Sequence, residues 1–286
     1  MRISTEIGSI AAIVGEERAV ECVARAGFDG WDFTMSKMCA CDGETVRLTD
    51  HPLSGDGYRA FAERLAHVGR ECGIVCNQTH APHPVLHAAS MPWMRRSIEV
   101  TAAVGGDICV IHPDTRIGVA ENAAMYRELI AYAAACGVTV ATENMWNWDD
   151  ERDEATFASC ATPASFCEHV DAAQGLVACL DIGHAEMRGN GTNAVEMIRA
   201  LAHRIRALHL HDNDKWHDAH ELPFTMDIDY VPIVRALAEI GYDGWFTLEA
   251  YHYIDGCAPD ELPAAVCRMA DAARRLAEMF ERERGG

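Results

Sequence analysis

VTVATE (138–143) decides the fold of this chain. An apolar, β-branched run stops at a carboxylate, Glu143. A buried parallel strand reads this way, because both faces are packed and only the C-terminal end opens into a solvent pocket. Three more runs repeat the design: LVACLD (176–181) ends at Asp181, IRALHLH (205–211) carries His209 and His211, and WFTLE (245–249) ends at Glu249. Strands of this kind, side by side, bring two Glu, one Asp and one His to one rim. That set suits a divalent cation with oxygen-rich coordination.

The alternation continues outward from these runs. Strands are expected over 2–7, 28–33, 74–80, 108–112, 138–143, 176–181, 205–211 and 245–249. Helices are expected over 16–26, 57–72, 91–104, 120–136, from Thr162-Pro163 onward, and over 192–201, 229–240 and 259–281. Pro92 sits near a first turn, and Gly137 and Gly241 end two of the helices. Eight strands alternating with eight helices predict an α/β chain folded as a single (β/α)8 TIM barrel over 1–286, and 286 residues is a suitable length. No linker, low-complexity tract or repeat interrupts the pattern.

Lys plus Arg number 24 against 44 Asp plus Glu, a formal net charge of −20. Such a surface repels phosphate backbones and anionic membranes, so neither nucleic acid nor membrane is expected as a partner. The 12 cysteines are scattered without a CxxC pair and read as small buried hydrophobes in a reducing compartment. The N-terminus has no extended apolar segment, and no stretch approaches ~18 uninterrupted apolar residues. A cytoplasmic location is expected.

Barrels of this type place function at the C-terminal ends of their strands. There stand His80, His112, Glu143, Asp181, His184, His209, His211 and Glu249. One such histidine is more often a partner of backbone than a ligand. Buried carboxylates without a cation are costly, however, so the set together points to a metal.

These residues lie in segments that resemble the xylose-isomerase-like barrels, a superfamily that includes sugar-phosphate isomerases and epimerases and the apurinic-site endonucleases. The matching segments are Thr79-His80-Ala81-Pro82, Ile111-His112-Pro113, Glu143-Asn144, Leu180-Asp181-Ile182-Gly183-His184-Ala185, His209-Leu210-His211-Asp212-Asn213, Asp218-Ala219-His220-Glu221-Leu222-Pro223 and Leu248-Glu249. The resemblance implies that Glu143, Asp181, His209 and Glu249 hold one divalent ion (Mn, Mg, Co or Zn). It favours His209 over His211 because the family's ligand is the His three residues before the acid, here Asp212. It also implies substrate contacts for His184 and for His80 and His112 on the opposite wall. Among the remaining candidates, His211, His220 and Lys215 are placed on the substrate side, and Trp146 is read as a pocket wall.

A metal-dependent isomerase or epimerase of a small sugar or keto-polyol is therefore expected. Glu143 and Glu249 would remove and return a proton beside a carbonyl while the ion stabilises the enediolate. The partner is a small carbohydrate, and the resemblance implies a homo-oligomer. Two alternatives share these residues. One is a lyase, like inosose dehydratase or an enzyme that cleaves C-glycosides. The other is a three-zinc apurinic-site endonuclease using His80, His112, Glu143, Asp181, His184, His209, Asp218, His220 and Glu249, against which the charge of −20 weighs. One departure stands out: Phe224-Thr225-Met226 replaces a Gly-Glu-Gly turn of many relatives. Without those glycines, a positive φ is expected to be avoided there.

Overall fold

The computed structural model describes residues 1–42 and 45–285; residues 43 and 44, in the loop expected after strand two, and 286 lie outside them. Eight parallel strands form the barrel: β1 (Arg2–Glu6), β2 (Gly30–Thr34), β3 (Val75–His80), β4 (Ile108–Val110), β5 (Thr139–Glu143), β6 (Val177–Asp181), β7 (Ile205–His209) and β8 (Trp245–Leu248). Their order is β7-β6-β5-β4-β3-β2-β1-β8. Closure comes between β7 and β8, where Leu210 N–H donates to the Thr247 carbonyl (2.9 Å) and Glu249 N–H donates to the Leu210 carbonyl (3.0 Å). The expected (β/α)8 barrel is the fold.

The crossover helices are Glu16–Ala26, Tyr58–Cys72, His87–Val104, Val119–Cys136, Pro163–Asp171, Ala194–Leu201, Tyr230–Glu239 and Leu262–Gly285. Gly137 takes φ 71° at the end of the fourth, a left-handed cap that glycine adopts without Cβ strain. The third helix begins at His87 rather than at 91, so Pro92 lies inside it. In the added turn Ser90 is buried, and its hydroxyl accepts from the Leu86 N–H at the helix start (2.8 Å). Two antiparallel hairpins, Cys39–Asp42 with Thr45–Leu48 and Asn147–Asp149 with Glu154–Thr156, occupy stretches expected as loops. Neither carries an apolar run long enough to be read as a strand.

Large apolar side chains fill the shell between strands and helices, including Trp31, Phe33, Tyr126, Phe246 and Phe280. The barrel interior differs. One half is small and apolar (Val110, Ala141, Cys179, Ala207). The other half is polar and hydrogen-bonded: Ser4 and Asn77 reach Thr247 (2.8 and 3.1 Å), and Gln78 reaches Asp32 (3.0 Å). A register shift between Trp31 and Asp32 pairs them with Cys76 and Gln78, leaving Asn77 bulged, so adjacent residues both turn inward. All 12 cysteines are free thiols. No helix among the described residues is long and apolar enough to cross a membrane.

Candidate metal centre at the C-terminal rim

Strand register brings the ligand candidates to neighbouring positions. Asp181 pairs with His209, and Glu143 pairs with Cys179, two residues before Asp181 on β6. Asn144 locks β5 and β6 together beyond the ladder: it donates to the Asp181 carbonyl (2.9 Å) and accepts from Asp181 N–H (2.8 Å). One ligand atom each from Glu143, Asp181, His209 and Glu249 then lies within 4.8 Å of all the others.

The donor set fits a divalent cation. Donors ~2.1 Å from one ion at right-angled to tetrahedral geometry lie roughly 3.0–3.4 Å apart. His209 Nδ1 lies 3.1 Å from Glu143 Oε1 and 3.5 Å from Glu249 Oε2. Asp181 is fully buried, yet its Oδ2 has no hydrogen-bond partner, while Oδ1 accepts from His184 N–H (2.6 Å). A bare buried carboxylate oxygen is costly unless a cation meets it. On its other side, His209 Nε2 faces Asp32 Oδ2 at 3.2 Å. A proton held at Nε2 by that carboxylate leaves the Nδ1 lone pair for the ion. Without an ion His209 carries a proton on both ring nitrogens, the Nδ1 proton being the one an ion would displace. Burial opposes charge on Glu143, but that charged His209 and hydrogen bonds from His112, His209 and His80 hold the Glu143 pKa well below the usual carboxylate value.

Two further donor groups flank this one. His184, His211, Asp218 and His220 form the first. His184 Nδ1–H donates to the Asn144 carbonyl (2.8 Å), and His220 Nδ1–H donates to the Glu249 carbonyl (2.7 Å). Carbonyls only accept, so both Nε2 atoms turn to Asp218 Oδ2, at 3.2 and 3.1 Å. Trp146 Nε1–H donates to the same oxygen (3.2 Å). His211 is fully buried, meets Asp181 Oδ1 at 3.1 Å and stacks on His220 at 3.8 Å. His80, His112 and Glu143 form the second group. The two Nε2 atoms are 2.9 Å apart, and each lies 3.3 Å from Glu143 Oε2. Burial pushes His112 down to about 4, so it is a neutral imidazole at neutral pH.

The structure thus gathers every expected site residue at the rim except Lys215. That ammonium turns to Glu186 (3.1 Å), outside the cavities that line the centre. Residues not foreseen also belong here. Asp32 and Gln78 stand behind His209, and Tyr251 stacks on His220 at 4.1 Å. Glu6 ends β1, and the signal that marks Glu143 was present in RISTE (2–6). Two cavities, of about 260 and 370 Å³, meet over the centre and share His80, His83, Glu249 and Tyr251 as walls.

The loop without glycines corrects one expectation. Phe224 adopts φ 74° despite its Cβ, the left-handed conformation that was expected to be avoided. Asp212 holds the turn by accepting from Thr225 and Met226 N–H (3.1 and 3.0 Å), and the Arg275 guanidinium lies 3.8 Å over the Phe224 ring. Tertiary contacts hold strain that local preference would remove.

Residues 20–283 match the family model described as xylose isomerase-like TIM barrel. Over 265 residues the chain is 25% identical to uncharacterized protein MJ1311 of Methanocaldococcus jannaschii, covering 85% of this chain and 82% of that one. Among solved structures it resembles a D-tagatose 3-epimerase-like protein (TM-score 0.72, 20% identity, 99% of both chains). It also resembles an L-ribulose 3-epimerase (TM-score 0.72, 18% identity, 99% of this chain and 96% of that one). A third is a D-allulose 3-epimerase from Methylomonas sp. in complex with D-allulose (TM-score 0.66, 16% identity, 99% and 97%). At these identities the structures share the fold with this chain. The match to the family model spans most of the sequence, and the chain belongs to the xylose isomerase-like TIM barrel family.

Proposed function

We propose that the protein is a divalent-metal-dependent isomerase or epimerase of a small ketose or keto-polyol. One observation carries this reading: Glu143, Asp181, His209 and Glu249 each bring a ligand atom within 4.8 Å of the others, and Asp181 Oδ2 is buried with no hydrogen-bond partner. The names of solved structures it resembles, among them an L-ribulose 3-epimerase, a D-allulose 3-epimerase and a D-tagatose 3-epimerase-like protein, support it. When bound, the ion (Mn, Mg, Co or Zn) supplies Lewis acidity beside the substrate carbonyl. Glu143, held ionised, accepts a proton from the neighbouring carbon. Glu249, reaching in from the end of β8, returns one. Return to the opposite face of the same carbon inverts it; return to the adjacent carbon interconverts aldose and ketose. Trp146 and Tyr251 line the cavity beside these carboxylates.

The test is deuterium incorporation. Metal-loaded protein incubated in D₂O with a panel of ketoses and keto-polyols should place deuterium beside the carbonyl of at least one, and Glu143→Gln should reduce the rate by ~10²–10⁴. Absence of exchange across the panel refutes the reading.

The two flanking donor groups support a second reading, a hydrolase carrying three ions. A metal count decides between them. Three tightly held zinc ions per chain support the hydrolase, and one exchangeable ion supports the isomerase.

A further inference from the structure

Barrels of this type carry their chemistry at the C-terminal rim and fill their interior with side chains. Here the opposite end is open. A cavity of about 580 Å³, larger than either cavity over the metal centre, lies among the first residues of the strands. Ile108 and Val177 form the apolar part of its wall and pack against the small side chains of Val110, Ala141, Cys179 and Ala207.

The rest of the wall is polar, and its charge is divided between two sides. Strand order sets β8 between β7 and β1, so Asp243, just before β8, is flanked by Arg206 of β7 and Arg2 of β1. Four strands away around the cylinder lie β3, β4 and β5, which bring Asn77, Asp107 and Thr139 to the same cavity. One side therefore has two guanidinium groups for one carboxylate, and the facing side has a carboxylate with no cation. Among the described residues no ion pair joins these four charged groups to each other or to a neighbour, although Arg2 lies 4.1 Å over the Trp245 ring.

Asn77 marks the deep end. It is 5% exposed, and its amide N–H groups donate to Thr247 Oγ1 (3.1 Å) and Gln78 Oε1 (3.3 Å). Gln78 Oε1 only accepts, so the amide orientation is fixed and Oδ1 is left buried with no partner. A buried acceptor without a donor is costly, and a ligand N–H would remove that cost.

The two sides select the ligand. A simple carboxylate would meet Asp243 and Asp107, and a simple cation would meet both guanidinium groups. A zwitterion suits both sides at once. The planar forks of Arg2 and Arg206 match a carboxylate, while Asn77 Oδ1 and Asp107 accept from an ammonium group. With no net charge, such a molecule is not repelled by a chain of −20. We propose that the N-terminal mouth of the barrel binds a small amino acid as its zwitterion, carboxylate toward Arg2 and Arg206, ammonium toward Asn77 and Asp107.

Saturation-transfer NMR titrations of the chelated protein test this without involving the metal centre. The probes are glycine, L-alanine, L-serine, β-alanine and γ-aminobutyrate, with acetate and methylamine as the separated halves. At least one amino acid should bind saturably and ~10-fold or more tighter than either half. Arg206→Ala and Asp107→Asn should each weaken it by ~3–10-fold. Both side chains are exposed and free of ion pairs, so the variants should keep the wild-type urea midpoint and report binding alone. Saturable binding by none of the amino acids would leave water as the occupant and overturn the proposal. Acetate or methylamine bound as tightly as the best amino acid overturns it too, as does wild-type affinity in either variant.

Discussion

Replacing Asp32 with Asn removes a charge from behind His209 while keeping the side chain's shape. Asp32 is 1% exposed, and its Oδ2 faces two donors, His209 Nε2 at 3.2 Å and the Gln78 amide at 3.0 Å. The carboxylate sets the tautomer that leaves Nδ1 for the ion, and it raises the basicity of that nitrogen. Loss of such a contact weakens metal binding by ~10–100-fold, or ~1.4–2.8 kcal/mol. The metal-free protein should lose stability as well, because Oδ2 pairs with the buried His209 and favours its protonated form, and removing one partner of a buried pair costs ~3–5 kcal/mol. The pair of measurements is a Mn²⁺ titration by electron paramagnetic resonance and urea unfolding of the chelated protein. A purely structural role for Asp32 would lower stability and spare affinity. Mn²⁺ affinity within about twofold of wild type would refute the assignment of His209 Nδ1 as a ligand atom.

Other expectations follow from single contacts. A Cβ on Gly183 would come within 2.0 Å of the His211 ring, which cannot retreat because His220 stacks on it at 3.8 Å. Gly183→Ala should therefore cost ~1–3 kcal/mol in urea unfolding, and an unchanged midpoint would contradict the packing described. Burial raises Glu6 from 4.5 to about 7, so its proton is favoured in the folded state. That stability is full below the unfolded value and is lost as pH rises through about 7, a swing of ~3 kcal/mol. Glu6→Gln should thus gain on wild type between those limits, and parallel pH–stability profiles would count against it. Manganese at ~100 times its Kd should stabilise the protein by ~2.7 kcal/mol, reversibly with chelator, and Asp181→Ala should abolish the gain. A gain that persists in Asp181→Ala would place the ion elsewhere.

The barrel was legible because each strand is a run of apolar residues bounded by helix-period stretches, a pattern local enough to read along the chain. The meeting of Glu143, Asp181 and His209 at one rim was legible for the same reason, since each is an ionisable side chain at the end of an apolar run. Hairpins of three or four residues were not, because Asn147–Asp149 and Glu154–Thr156 are held by pairing with each other rather than by burial of a periodic face. Phe224 shows the limit most plainly: local preference argues against its φ of 74°, and Asp212 and Arg275 impose it.

Residue types and their order along the strands were enough to establish the architecture and the chemistry available at the rim. Tertiary folding alone decided which atoms meet. Asp32 sits 177 positions from His209 in the chain and reads as an ordinary polar residue in a strand, yet closure of the cylinder sets its carboxylate 3.2 Å from the imidazole. Lys215 lies among the rim histidines in sequence, but its loop directs it to Glu186 instead. Contacts between distant strands depend on barrel register and on the bulge at Asn77, and neither leaves a periodic trace in the order of residues.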